Sequence, residues 1–414
     1  MDNQTSQNSQ KNINEPIRLS TQQTKSLQFD KHIYLDNAAT TRIADEVLQA
    51  MAEALKYNYG NASSLHTSGI KAKNALENTR NKIAAFINAE PDEIFFTSGA
   101  TESINTILKQ VAFTFKNKGN HLITSNIEHH AVLNTCKFLE QNGYDVTYLK
   151  ADRYGMVNSE DVASSITPQT ILVSIMHANN EIGTILQIEE IAKFCKEKDI
   201  LFHTDAVQTF GKLPIDVKKM NIDFLSASAH KLHGPKGVGL LYIRKDIKLT
   251  PLLHGGTQEN NLRPGTENIP VIVGFQKAVE IAKKNMDKAA GINETARISR
   301  LRDKLIHSVL NKIPDSSLNG PPTQRLPNNA HFSFKFVEGE QILKFLDTHG
   351  IEVSTGSACT SKNLEPSHVL KAIGLKAAEL HGSVRITLSR YTTEDEIDYC
   401  IKMLEDAVKK LRKL

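Results

Sequence analysis

The rhythm of apolar and polar positions changes twice along the chain. Residues 1–30 are rich in Gln, Asn, Ser and Thr, with apolar residues only scattered at Ile13, Ile17, Leu19, Leu27 and Phe29. Such a segment cannot bury enough apolar surface to offset its ordering entropy, which predicts a mobile, disordered polar arm. From about Lys31 to Arg244, short apolar runs alternate with helical patterns. Seven runs read as strands: Glu93–Thr97, His121–Thr124, Val146–Leu149, Ile171–Met176, Ile200–Thr204, Phe224–Ala227 and Val238–Arg244. Several are continuously apolar, as strands covered on both faces are. Helical patterns such as 132-VLNTCKFLEQNG-143 lie between them, this one stopping on Gly143. The alternation predicts an α/β fold with a mainly parallel seven-stranded sheet between helices.

After about residue 270 the pattern changes. Two long helical stretches, near 270–285 and 290–312, precede the loop 319-NGPPTQRLPNN-329. Short strands are expected at His331–Phe336 and near Ile351. A last helix starts on the capping box Thr393-x-x-Glu396 and carries the stripe Ile397, Ile401, Leu404, Val408 and Leu411. This reads as a smaller α+β domain.

Composition narrows the function classes. With 414 residues, two domains are expected. A net charge of +4, not gathered in one block, points to neither nucleic acid nor membrane as the main partner. No apolar run approaches the ~20 residues that a membrane helix needs. The N-terminus lacks the order of a secretory signal, and Arg18 is the arm's only arginine, which argues against a transit peptide. A cytoplasmic protein is expected. Cys136, Cys195, Cys359 and Cys400 show no CxxC pairing and no zinc-like spacing with histidine, so no disulfide framework and no metal site is indicated.

Several segments can carry chemistry. Lys231, in 226-SASAHKLHGPKGVG-239, follows an apolar run and sits among small residues where the chain can enter a cleft. It is either a solvated surface charge or an amine poised to bond an aldehyde cofactor. Asp205 and Gln208, in 201-LFHTDAVQTFG-211, lie just beyond a strand, where α/β proteins bind ligands. Asp205 either caps a helix or pairs with a protonated ring nitrogen. In 95-FFTSGATESINTILKQ-110, Gly99, Ala100 and Thr101 form either an ordinary capped turn or an anion site at a helix N-terminus. His129 is either structural or a flat ring that lies on a cofactor and shuttles protons. Arg385, in 382-GSVRITLSR-390, pairs either with a protein carboxylate or with a substrate anion. Cys359 sits in 353-VSTGSACTSKNLEPSHVL-370, a setting for an exposed thiol, whereas Cys136, Cys195 and Cys400 lie in amphipathic helices and read as core.

Taken together, these segments resemble the cysteine desulfurases of the NifS/IscS-like branch (group I). These are fold-type I pyridoxal-phosphate (PLP) enzymes of the class V aminotransferase family. The resemblance runs through 34-YLDNAATT-41, 60-GNASSLH-66, 97-TSGATES-103, 176-MHANNEIG-183, 203-HTDAVQ-208, 228-SAHKLHGPKG-237, 263-RPGTEN-268 and 354-STGSACTSKNLEPSHVL-370 to Arg385, nearly everything after the arm. It implies an aspartate aminotransferase-like large domain over residues 45–287. Residues 31–44 and 288–414 would form the small domain carrying the Cys359 loop.

The resemblance also implies roles. Lys231 holds PLP covalently, His129 stacks on its ring, and Asp205 pairs with the ring nitrogen. Asn180 and Gln208 address the phenolic oxygen side. Gly99, Ala100, Thr101, Ser228 and His230 meet the phosphate, with Thr266 supplied by the second subunit of a homodimer. Arg385 and Asn180 hold the carboxylate of L-cysteine. Cys359 takes the substrate's sulfur as a persulfide, leaving alanine, with His129 as a proton acceptor. The loop must then travel to a sulfur-acceptor protein, an iron–sulfur scaffold or a tRNA-thiolation carrier. Two features depart from the pattern. The chain ends at Leu414 without the longer tail that some relatives use near their scaffold, and Thr257 stands where many carry glycine. A selenocysteine lyase and another class V transaminase use the same PLP apparatus, but the Cys359 loop suits the desulfurase better. A non-catalytic binding protein with a relict PLP fold would be expected to have lost Lys231, Asp205 or Cys359, and all three are present.

Overall fold

The computed structural model describes residues 32–287, 293–355 and 366–413. The polar arm and Cys359 lie outside the described residues. Among the described residues, twelve strands follow one another: β1 (Ile33–Tyr34), β2 (Ile94–Thr97), β3 (His121–Ser125), β4 (Asp145–Leu149), β5 (Thr170–Ser174), β6 (Leu201–Asp205), β7 (Phe224–Ser228), β8 (Gly239–Ile243), β9 (Ser316–Leu318), β10 (Asn329–Phe334), β11 (Ile351–Glu352) and β12 (Ser383–Thr387). Seven of them form the main sheet in the order β2-β8-β7-β6-β5-β3-β4. Only β8 runs against its neighbours, pairing antiparallel with both β2 and β7. Each of the seven expected runs coincides with one of these strands to within a residue or two.

The strand sequences explain the burial. The runs IFFT, TILVS, FLSAS and GLLYI are buried at every position, as expected for strands covered on both faces. One apolar cluster, with Phe202, Phe210 and Phe275, fills one side of the sheet; another, with Ile104, Val111, Val132 and Phe224, fills the other. Helix Asp45–Tyr57 packs on helix Ile269–Met286. Gly274 permits that approach, because a Cβ there would lie 2.6 Å from Met51 Cγ.

A separate cluster surrounds the antiparallel sheet β12-β10-β9 and includes Leu35, Phe332, Phe334, Leu404 and Val408. The expected last helix spans Glu394–Leu411, with the Thr393–Glu396 capping box formed. Its stripe is buried from Ile397 to Val408. The expected strand at 331–336 instead ends at Phe334, because Phe336 takes a positive φ of 65° and is exposed. The short strand β1 pairs in parallel with β11, Ile33 opposite Ile351. Leu35 N then donates to Glu352 O, and Thr387 N donates to Leu35 O. Residues 33–37 thus run between β11 and β12, which brings Asp36 beside Arg385.

Candidate active site

Strands β2, β3, β5, β6 and β7 all end at one edge of the main sheet, and the candidate residues gather there. Asp205 ends β6, Ser228 ends β7, Lys231 lies in the turn after β7, and His129 follows β3. Asn180 lies in the loop after β5. The edge is the ligand-binding end of an open α/β sheet.

Residues 36–41 cross this edge. Lys231 Nζ donates to the carbonyls of Ala38 and Ala39, each at 2.6 Å. Gln208 Nε2 donates to Ala38 O at 3.0 Å, and Thr41 Oγ1 donates to His230 O at 2.8 Å. The small side chains of Ala38 and Ala39 let their backbone come this close. Gln208 Oε1 is buried and has no hydrogen-bond partner among the described residues. Because a buried amide oxygen without a partner costs stability, it marks a place where a ligand donor fits.

Helix Ala100–Thr114 starts at the same edge, with Gly99 as its N-cap. Among the described residues, no heavy atom beyond Gly99 and its two chain neighbours lies within 4 Å of a Cβ built there, which leaves space before this N-terminus. The turn rests on Gly239, where a Cβ would come within 2.5 Å of Gly99 C. Glu102 fixes the first turn by accepting from Ser98 N and from Arg263 Nε, at 2.8 and 2.9 Å. That pair tethers the 263–268 segment to the helix, while Thr266 itself remains exposed.

Arg385 approaches from the small sheet and is buried. Its Nη1 donates to Asn180 O at 3.2 Å and its Nη2 to Asp36 Oδ1 at 2.8 Å. The two flanks of the Cys359 segment also meet here. Ser354 exchanges both backbone hydrogen bonds with Arg385. On the other side, Ser367 Oγ donates to Glu181, and His368 Nε2 donates to Glu128 O at 2.9 Å.

Burial sets the charges. It pushes His129 down to about 4, aided by the nearby Lys231 cation, so His129 is neutral at neutral pH. His230 is lowered to about 4, by burial first and then by Lys231. Asp205 is raised to about 6 by burial, against the opposing pull of the Val207 N–H and Lys231. Burial raises Glu181 and Glu128 to about 7 and about 8. These two acids, together with Asp36 and Ser367, are neighbours of the site that sequence reasoning did not single out. The carboxylate within the mostly uncharged segment 176-MHANNEIG-183 was the available signal for Glu181. Among the described residues, no His, Cys, Asp and Glu cluster has the arrangement of a metal site. Cys136, Cys195 and Cys400 are buried, and burial pushes each thiol up to about 12.

The aminotransferase class-V family profile matches residues 33–400. The cysteine desulfurase IscS of Dictyoglomus turgidum is 54% identical over 382 residues, which cover 92% of this chain and 96% of that protein. Among solved structures, a NifS-like protein superposes with a TM-score of 0.85 at 42% identity, covering 92% of this chain and all of its own. The structure described as SspA in complex with cysteine superposes with a TM-score of 0.76 at 40% identity, over 87% of this chain and all of its own. A family match along nearly the whole described chain, with relatives this similar, leaves one conclusion. The chain belongs to the aminotransferase class-V family, among its IscS-type cysteine desulfurases.

Proposed function

We propose that this chain uses PLP to take sulfur from L-cysteine, leaving L-alanine and a persulfide on Cys359. The observation that carries the reading is the convergence of Lys231, Asp205, His129 and Arg385 on one edge of the sheet, with both flanks of the Cys359 segment docked beside them. The open space before Gly99, at the N-terminus of the helix, is suited to the cofactor's phosphate.

Lys231 would hold the aldehyde end, and Asp205 would face the ring nitrogen, where a cation would favour its ionised form. Neutral His129 would lie on the ring. Asn180 and Gln208 would address the phenolic oxygen. Gly99, Ala100, Thr101, Ser228 and His230 would meet the phosphate at the helix N-terminus, together with Thr266 of the partner subunit in a homodimer. When bound, PLP supplies the electron sink that labilises the substrate's α-hydrogen and makes its sulfur electrophilic.

The protein groups then divide the work. Arg385 and Asn180 orient the substrate carboxylate, and Lys231 Nζ moves the α-proton. His129 accepts the Cys359 proton. The resulting thiolate takes the substrate sulfur, an S–S bond forming as the substrate's C–S bond breaks; the carbon keeps the electron pair and takes a proton. The sulfur passes to an acceptor protein, an iron–sulfur scaffold or a tRNA-thiolation carrier. No described helix is long and apolar enough to cross a membrane. We place the reaction in the cytoplasm.

Borohydride reduction of the PLP-loaded protein, followed by peptide mass spectrometry, tests the anchor. The cofactor mass is expected on the peptide containing Lys231 and absent from Lys231→Ala. Labelling on another lysine would overturn the assignment.

A further inference from the structure

Arg385 already has a carboxylate against it. Asp36 Oδ1 accepts from Nη2 at 2.8 Å, with Arg385 nearly buried and the Asp36 side chain only 20% exposed. The two residues lie 349 positions apart. Their pairing is nevertheless built into the fold, because the Asp36 segment bridges to Thr387 and Ser354 pairs with Arg385. Tyr34 Oη donates to the Asp36 carbonyl at 3.1 Å, fixing the turn from which the side chain projects. On the other side Nη1 is engaged by Asn180 O. Nε is buried and has no hydrogen-bond partner among the described residues, which leaves this N–H for a further acceptor.

From this arrangement we infer that Asp36 sets the affinity for the substrate carboxylate: it holds Arg385 in place and opposes the incoming negative charge. The inference rests on the reading of Arg385 as the carboxylate-binding residue. A carboxylate that binds at Nε lies beside one cation already neutralised by Asp36. It must share that cation or displace Asp36, and in either case two like charges are brought close in a site with little solvent. Asp36 therefore has two separable effects. Its oxygen orients the guanidinium, and its charge weakens substrate binding. Asparagine keeps an oxygen acceptor and removes the charge; glutamate keeps the charge. Asp36 is a positioning residue and takes no part in bond making.

The test uses PLP-loaded protein and reads binding apart from turnover, by absorbance titration with L-alanine and with cysteamine, which has no carboxylate. Asp36→Asn is expected to bind L-alanine roughly tenfold more tightly. KM for L-cysteine should fall in parallel, while kcat and the response to cysteamine change little. Asp36→Glu is expected to bind L-alanine no more tightly than the wild type, which keeps the inference testable if the asparagine variant fails to fold. Arg385→Gln separates the two readings. If it weakens L-alanine while Asp36→Asn does not tighten it, or while Asp36→Glu does, the role of Asp36 is refuted. If Arg385→Gln leaves L-alanine affinity unchanged, the carboxylate reading of Arg385 itself fails.

Discussion

Glu128 shows how one residue's burial becomes a measurable property. Its carboxyl is fully buried, accepting from Ser125 Oγ and Met176 N through Oε1, while Oε2 has no partner among the described residues. Burial raises it from 4.5 to about 8, with Asp205 adding to the rise. The folded chain therefore keeps a proton that the unfolded chain has lost across this window. Its contribution to stability is full below about pH 4.5 and is lost as pH rises through about 8. Glu128→Gln does not titrate, so the variant should lose less stability than the wild type between pH 6 and 8.5 in urea unfolding. The slope difference is at most about 1.4 kcal/mol per pH unit for one group. Parallel stability curves would contradict the assignment. At this scale the sequence was informative where chemistry follows a strand end, as for Asp205 and Lys231. It was silent on Asp36 and Ser367, whose partners lie 349 and 186 residues away. Spacing along the chain carries no record of such contacts.

Among elements, the loop at 257–262 is held to β2 by a buried ion pair. Arg80, in helix Thr67–Phe86, donates to both oxygens of Glu259 at 2.7 and 3.0 Å, and Glu259 Oε2 also accepts from Phe96 N at 2.8 Å. Arg80 and Glu259 are both nearly fully buried. Removing Glu259 leaves the buried Arg80 paired, among the described residues, only with the half-exposed Glu77 carboxylate, 3.3 Å from Nε, so Glu259→Ala should cost about 3 kcal/mol. Urea unfolding with an unchanged m-value would show it; a loss below about 1 kcal/mol would mean that water reaches Arg80. Strands such as β2, β5 and β8 were legible because doubly covered strands read as apolar runs, whereas the partly exposed β4 was legible from the alternation of Val146, Tyr148 and their polar neighbours. Strands β1 and β9 were not, being two and three residues long. Such segments are strands only because neighbours supply their partners, and their own pattern is too short to carry a period.

Among the described residues, the apolar clusters on the two sides of the main sheet and the cluster around the small sheet are joined by backbone that passes close to the candidate site. Residues 33–37 leave β1 in the small-sheet cluster and lead into Ala38 and Ala39, which meet Lys231 at the main sheet. Ser367 and His368 make the return contact, from the end of the Cys359 segment to Glu181 and Glu128. The site is thus assembled from segments spread over most of the chain. The family resemblance reached it because each segment carries its own short motif. The central claim is that this assembly delivers sulfur to Cys359. The most direct measurement records the absorption spectrum of the purified protein and assays alanine and persulfide from L-cysteine, with Cys359→Ala alongside. The account predicts a cofactor band near about 400 nm in both proteins, with cysteine-dependent alanine and persulfide only in the wild type. Turnover confined to selenocysteine, alanine formed equally by Cys359→Ala, or a colourless protein that takes up no added PLP would contradict it.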